Sequence, residues 1–165
     1  MFLIINKSIF AHIFKDTVDS NSFKTKYINK DSIQKGWYVA NADGKILGRF
    51  SSEIAKILRG KNKPSFSPHI DCGDYVIVIN SDNIKMTGNK WKDKKYVRHT
   101  GYPGGQKTTT PQQIKDNKSS KFIIEKAVKG MLPKNRLGRQ LFRNLFVYED
   151  ANHPHEGQKP KEINI

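Results

Sequence analysis

Cysteine is almost absent from this chain of 165 residues, which contains only Cys72. A single cysteine forms no intramolecular disulfide, so a packed core has to hold the fold together, as is usual for proteins of a reducing compartment. One cysteine also cannot supply the paired thiolate ligands of a structural zinc site. We therefore expect no disulfide and no structural zinc site of this kind. We also expect no other bound metal ion and no cofactor.

Long apolar runs are missing too. No stretch reaches the roughly 18 apolar residues that a membrane-spanning helix requires, so we expect no membrane partner. Residues 1–14 are apolar, but they lack the charged start and the small-residue cleavage site of a signal peptide, and a transit peptide would be richer in Arg and Ser. We interpret residues 1–14 as a dispensable extension and expect a cytoplasmic protein, with an organelle as the alternative location.

Acidic residues are scarce. The chain has 15 of them against 30 lysines and arginines, which gives a formal net charge of +15. The excess is uneven, because residues 81–110 carry +5 and residues 111–148 carry +7, whereas residues 149–165 carry −2. Such a basic region favours a polyanionic partner, and nucleic acid ahead of a membrane.

The spacing of apolar residues predicts an α/β fold. Residues 37–40 and the β-branched run 75–80 predict two strands, and the pattern between them predicts a helix over 47–59 that ends at Gly60. The order strand, helix, strand predicts parallel pairing with helices on the sheet. Further strands are predicted at 83–87 and, as an exposed edge, at 91–98, and further helices at 111–114 and 122–131.

This pattern divides the chain into three parts. Residues 1–36 are predicted to be an N-terminal extension that is partly disordered or extended. Residues 37–148 are predicted to form the α/β domain that binds RNA, and residues 149–165 an extended C-terminal tail.

Residues 126–148 contain no acidic residue. A helix predicted after Pro133 has leucines spaced i, i+4 and i+8, which predict a buried face: Leu137, Leu141 and Leu145. Its arginines predict the opposite, exposed face: Arg136, Arg139 and Arg143. A merely solvated helix usually mixes charges of both signs, so we interpret these arginines as ligands for phosphate, which matches the planar guanidinium fork.

Between residues 90 and 102, basic side chains alternate with aromatic ones beside a glycine-rich loop. This composition is typical of RNA contact, where cations meet phosphates and rings meet unstacked bases. A basic edge strand that prevents sheet association would explain the lysines but not the glycines. The RNA-binding residues predicted here are Lys90, Lys94, Lys95, Arg98, His99, Gly101, Gly104 and Gly105.

The segment 69–74 is the one place that suits an enzyme, because His69, Asp71, Cys72 and Asp74 lie close together in sequence. A catalytic cysteine needs a base that the fold brings near, and the segment has no recurring metal-ligand spacing. We interpret the aspartates as turn or capping residues, Cys72 as packed, and His69 as a contact to phosphate or backbone. Two further histidines, at 153 and 155, are predicted to lie at the surface.

Six motifs in order resemble the ribosomal protein L13 family in its bacterial form. They are Gly44–Arg49, Pro68–Asp74, Met86–Lys90, His99–Gly105, Ala127–Pro133 and Leu137–Arg139. The resemblance extends from about Trp37 to the C-terminus. It implies a single three-layer α/β/α domain around a small, mostly parallel sheet, no catalysis, binding to 23S-type rRNA and a role in early assembly of the large ribosomal subunit.

We therefore predict a structural constituent of the large ribosomal subunit, not an enzyme, that neutralises rRNA phosphates. Its remaining predicted contacts lie on other segments: Arg49, Lys61, Lys63, His69, Lys129 and Lys134. The expected partners are large-subunit rRNA and neighbouring large-subunit proteins, with mRNA binding left open. Two other classes stay open, an RNA-modifying enzyme that uses segment 69–74 and a nucleoid-type DNA-binding protein.

Overall fold

A computed structural model describes residues 28–165; the extension predicted at residues 1–14 lies outside this range. The helices and strands follow one another in this order: β1 (Trp37–Asn41), α1 (Leu47–Arg59), β2 (Tyr75–Ile79), α2 (Lys90–Asp93), β3 (Tyr96–His99), β4 (Gln106–Thr109), α3 (Pro111–Asn117), α4 (Lys121–Met131), α5 (Arg136–Phe142), β5 (Leu145–Val147) and β6 (Lys161–Ile163). Short 3-10 turns lie at Lys30–Ser32, Ser81–Asn83 and Glu156–Gln158.

The main sheet is parallel and has four strands in the order β5-β2-β1-β6. Strands β1 and β2 pair in register from Trp37 opposite Tyr75 to Asn41 opposite Ile79. Helix α1 makes the crossover between them and ends at Gly60, whose φ of 79° is the left-handed conformation that closes many helices. The predicted α/β domain around a small parallel sheet is confirmed.

The core lies between one face of the sheet and the helices. Alternate residues of a strand point to the same face, and Ala40, Val76 and Val78 belong to the same apolar cluster as Phe50 of α1 and Ile124 of α4. All five are 1% exposed or less. Because α1 and α4 also pack against each other, the helical layer is closed over the sheet.

The other face of the sheet carries a cluster of rings. Trp37 stacks on Tyr75 at a centroid distance of 4.4 Å and on Phe146 at 5.6 Å. His155 joins the cluster at 5.3 Å from the Trp37 ring, and its Nε2 lies 2.8 Å from the hydroxyl of Tyr148. The segment between β5 and β6 therefore contributes to the layer on this face.

Three local predictions were wrong. Residues 83–87 form no strand; they follow a 3-10 turn and contribute one isolated bridge, between Ile46 and Lys85. The strand predicted over 91–98 begins as the helical turn α2, so only its second half is extended. Leu145 is not helical, because α5 ends at Phe142 and Leu145 starts β5, although it still packs against the core.

The two C-terminal histidines were also placed wrongly. His153 and His155 are half-buried and not surface residues. Their polar, proline-containing neighbourhood has no apolar period from which burial could be predicted. His155 packs against distant rings of the sheet, and His153 stacks on His155.

Candidate nucleic-acid interface

Strands β3 and β4 form an antiparallel hairpin that is separate from the main sheet. At its tip the Thr100 amide donates to the Gly105 carbonyl at 3.0 Å, and the Gly105 amide donates to the Tyr102 carbonyl at 2.9 Å. Gly101 has a φ of +94°, and a Cβ on Gly105 would collide with the Thr100 hydroxyl. The glycines therefore make a tight tip, and it presents a Tyr102 side chain that is 75% exposed.

The hairpin and the residues just before it carry several basic side chains that are close to one another in sequence. Arg98 on β3 pairs across the strands with Lys107 on β4. The His99 Nδ1 accepts a hydrogen bond from the Gly101 amide at 2.9 Å. Residues Lys94, Lys95, Arg98, His99, Gly101 and Gly104 are exposed, and Gly105 is half-buried. Lys107 was missed because the polar run of β4 showed no strand pattern; its charge beside the glycine-rich loop was the available signal.

The acid-free region, residues 126–148, contains the end of α4, a linker of residues 132–135, helix α5 and strand β5. The Asn135 side chain caps α5 by accepting a hydrogen bond from the Gly138 amide at 2.8 Å. Leu141 is fully buried, and the predicted basic residues of this region are all exposed: Lys129, Lys134, Arg136, Arg139 and Arg143. The two-faced character predicted for this helix is therefore present over the length of α5.

Most of the lysines and arginines predicted to bind RNA take no part in salt bridges within the described residues. Residues 28–165 contain four salt bridges, and of the predicted binding residues only Lys63 takes part in one. Its Nζ lies 2.6 Å from the Asp74 carboxylate and 2.8 Å from the Gln34 carbonyl. The other predicted lysines and arginines have no carboxylate within salt-bridge distance in this part of the chain.

A groove gathers a second basic group, Arg49, Lys90 and Lys94, together with Lys126 and Tyr96. The Lys126 Nζ lies 4.1 Å from the centroid of the Tyr96 ring, within cation–π range. The Tyr96 hydroxyl is buried without a hydrogen-bond partner among the described residues, and burial raises the pKa of this phenol. Lys126 was not predicted as a contact, although its place in the acid-free region was a signal for it.

Two smaller clefts contain the remaining predicted residues. His69 is exposed and lines one cleft with Arg136. Lys61 is exposed and lines another with Arg59 and Pro133. The structure thus brings Lys61 beside the linker that carries Lys134, which the sequence separation did not predict.

The segment 69–74 has a structural role. The Asp71 carboxylate lies 2.6 Å from the Lys35 Nζ and accepts from the Asn144 side-chain amide at 3.2 Å. Asp74 accepts from the Gly36 amide at 2.7 Å in addition to its bond with Lys63, and Cys72 is 1% exposed. Both carboxylates thus hold residues 34–36 and 63 against the strand that follows, a long-range role. The local turn role predicted from the sequence is represented by one bond, from the Gly73 amide to the Asp71 carboxylate at 3.3 Å.

Between residues 28 and 165, no three His, Cys, Asp or Glu side chains are grouped closely enough to hold a metal ion. No helix in the same range is both long and apolar enough to span a bilayer.

Known proteins resemble this chain over most of its length. The profile of the family "Ribosomal protein L13" matches residues 35–154. The large ribosomal subunit protein uL13 of Symbiobacterium thermophilum is 51% identical over 142 residues, covering 86% of this chain and 99% of the relative. The uL13 proteins of Alcanivorax borkumensis (51% identical, 86% of this chain and 99% of the relative) and Gloeothece citriformis (54%, 86% and 93%) match similarly. The chain therefore belongs to the ribosomal protein L13 family, whose members are structural, non-enzymatic constituents of the ribosome.

Proposed function

We propose that this chain binds large-subunit rRNA through its exposed basic surface, supports early assembly of the large ribosomal subunit, and lies there in the cytoplasm beside other large-subunit proteins. One observation carries the proposal. The cations of the hairpin, the groove and α5 are exposed and lack salt bridges within residues 28–165, although the chain belongs to a family of ribosomal proteins. Folded rRNA supplies the missing negative charge.

The mechanism is neutralisation of phosphate by side chains held on rigid elements. Arg136 and Arg139 project from a capped helix with a buried face, so little side-chain order has to be gained on binding beyond the arginines themselves. Each guanidinium can bind one phosphate through two parallel hydrogen bonds. The released counterions make such binding strongly dependent on salt.

The hairpin adds a second mode of contact. Its small residues at positions 101, 104 and 105 let the backbone approach RNA closely. Tyr102 at the exposed tip offers a ring on which an unstacked base can lie, a contact typical of RNA recognition. The hairpin thereby combines phosphate contact by Arg98 and Lys107 with stacking at the tip.

The salt dependence of binding tests this mechanism. The affinity of the wild-type chain for large-subunit rRNA fragments should fall steeply between about 50 and 200 mM salt. The double variant Arg98→Ala, Lys107→Ala should lower the slope of log affinity against log salt by about two, one for each lost phosphate contact. Lys161→Ala, a change in the acidic C-terminal segment, serves as the control and should leave the slope unchanged. A flat salt response of the wild-type chain would overturn the mechanism.

Competition separates rRNA binding from general affinity for nucleic acid. If the chain were a nucleoid-type protein, duplex DNA would displace rRNA at equal phosphate concentration. We expect rRNA fragments to compete far better than duplex DNA.

Reconstitution of large subunits tests the role in assembly. Without the chain, reconstitution should stop at an early particle, and adding the chain after that stage should not restore the yield.

A further inference from the structure

The groove beside Tyr96 is built from three segments that are far apart in sequence. Its walls come from the start of α1 (Leu47, Gly48), the turn before α2 (Met86) and the end of α4 (Gly130, Met131). Each of these segments belongs to one of the six motifs of the sequence analysis. Its volume of about 920 Å³ is within the range of sites that accept a small-molecule-sized group.

The walls and the rim of the groove differ in chemistry. Three apolar residues that line the groove are called its floor here: Leu47, Met86 and Met131. Four exposed cations that line it are called its rim: Arg49, Lys90, Lys94 and Lys126. Asp93 supplies the single carboxylate beside them. An apolar floor under a cationic rim is complementary to a ligand that has a flat apolar part attached to a negative charge.

The groove is open where side chains could have filled it. Gly48 and Gly130 both line it, and a Cβ at either position would meet no atom within 4 Å. Tyr96 also lines the groove, although its hydroxyl is shielded from solvent and has no hydrogen-bond partner among the described residues.

We propose that this groove receives one unstacked nucleotide of the bound rRNA, with its base on the apolar floor and its phosphate at the cationic rim. The inference rests on the proposed function and adds the site at which a single nucleotide is held. Methionine sulfur contacts aromatic rings favourably and adapts to their shape. Proteins that recognise RNA often stack unstacked bases on aromatic side chains, and Tyr96 is the aromatic residue among those that line this groove.

Photo-crosslinking from the floor of the groove tests the proposal directly. The chain has three methionines, and two of them, Met86 and Met131, line the groove. Replacing methionine by its diazirine analogue allows irradiation of the chain in assembled large subunits. We expect the peptides that contain residues 86 and 131 to crosslink to the same rRNA position. A crosslink to a protein neighbour, or none from a chain bound in the subunit, overturns the proposal.

Filling the groove tests it independently. Gly130→Leu adds a side chain to the groove and removes no cation, so it should weaken rRNA binding about ten-fold, as loss of a base contact does. Gly157→Leu is the matched control, because position 157 is equally open and lies in the 3-10 turn of the C-terminal segment, away from the groove. Gly157→Leu should bind like the wild type.

The outcomes separate this inference from the proposed function. If the wild-type chain binds rRNA with the expected salt dependence and Gly130→Leu binds equally well, the nucleotide site is refuted and the proposed function stands. If the wild-type chain does not bind rRNA, both are refuted. Melting temperatures of the two glycine variants show whether each is folded, and the crosslink, which needs no variant, decides the case if Gly130→Leu unfolds.

Discussion

At the scale of single residues, two lysines that stand two positions apart have different roles. Lys61 is exposed and makes no salt bridge with the described residues, whereas Lys63 is half-buried and bonded to Asp74 and to the Gln34 carbonyl. The sequence predicted both lysines as RNA contacts. The local sequence shows neither how far a side chain is buried nor which distant residue it will contact. Their side-chain environments predict opposite phenotypes.

Lys63→Ala should lower the free energy of unfolding by about 1.5–3 kcal/mol, the range for a hydrogen bond to a charged group, because the Asp74 carboxylate would stay buried without it. Lys61→Ala should leave stability within about 0.5 kcal/mol of the wild type while reducing the salt slope of rRNA binding. Urea denaturation and filter binding measure the two effects. Equal stability of both variants would show that the Lys63 pair has no structural role.

Two glycines in neighbouring helices give a second matched pair. Gly138 lies against the linker, and a Cβ there would collide with the carbonyl oxygen of Pro133, whereas a Cβ on Gly130 would meet nothing. We expect Gly138→Ala to cost about 1–3 kcal/mol of stability through overpacking. Gly130→Ala should raise stability by about 0.5–1 kcal/mol, because alanine is the better helix former. Thermal melts of the two variants should shift in opposite directions; a shift in the same direction would contradict the reported packing.

At the scale of elements, α5 combines a buried apolar face and an exposed basic face within seven residues. Leu141 is fully buried against the core, and Arg139 and Arg143, one in the helix and one at its end, are exposed. The helix is short, so its stability depends on the Asn135 cap and on this packing.

The two faces should therefore respond differently to substitution. Leu141→Ala should cost about 2–5 kcal/mol, the range for a large-to-small change in a core, and should affect RNA binding only through unfolding. The double variant Arg139→Ala, Arg143→Ala should melt within about 0.5 kcal/mol of the wild type and bind rRNA more weakly, with a smaller salt slope. If the arginine variant melts early and binds normally, those arginines are structural.

The end of α5 shows where periodicity misleads. Leu137, Leu141 and Leu145 have helical spacing, yet the helix ends at Phe142 and Leu145 pairs with Val76 in the sheet. Leu145 packs partly buried against the core as part of β5, as it would have on the predicted helix, so the apolar pattern alone does not distinguish the two arrangements. Pairing with β2 supplies backbone hydrogen bonds to the strand, an interaction between residues about 70 positions apart that no local window contains.

At the scale of the whole molecule, the C-terminus completes the sheet. Strand β6 pairs with the edge of β1, and Ile163 and Ile165 pack against the core. His155 lies among the rings on the opposite face. The segment that is poorest in basic charge thus serves the fold.

Truncation after Lys159 tests this role. It removes β6 and both isoleucines, so the free energy of unfolding should fall by about 2 kcal/mol or more through lost apolar burial. Asn164→Ala, a change at an exposed position of the same segment, is the control and should be neutral. A truncated chain that denatures at the same urea concentration as the full chain would contradict a structural role for β6.

The sequence by itself determined the fold class, the family and the sign of the partner's charge. The first βαβ unit and the exact span of α1 followed from local rules, because apolar period and glycine stops act within a few residues. The six motifs resembled the L13 family, and the profile match and the relatives confirm that resemblance.

Only the tertiary structure decided which of these charges are available and where they meet. It placed Lys63 in an internal salt bridge, joined Arg49, Lys90 and Lys126 around one groove, and buried His155 among rings. Each result depends on residues that are distant in sequence coming within a few ångströms of one another. Local propensity does not specify such distances; they follow from how the helices and strands pack around a shared apolar core.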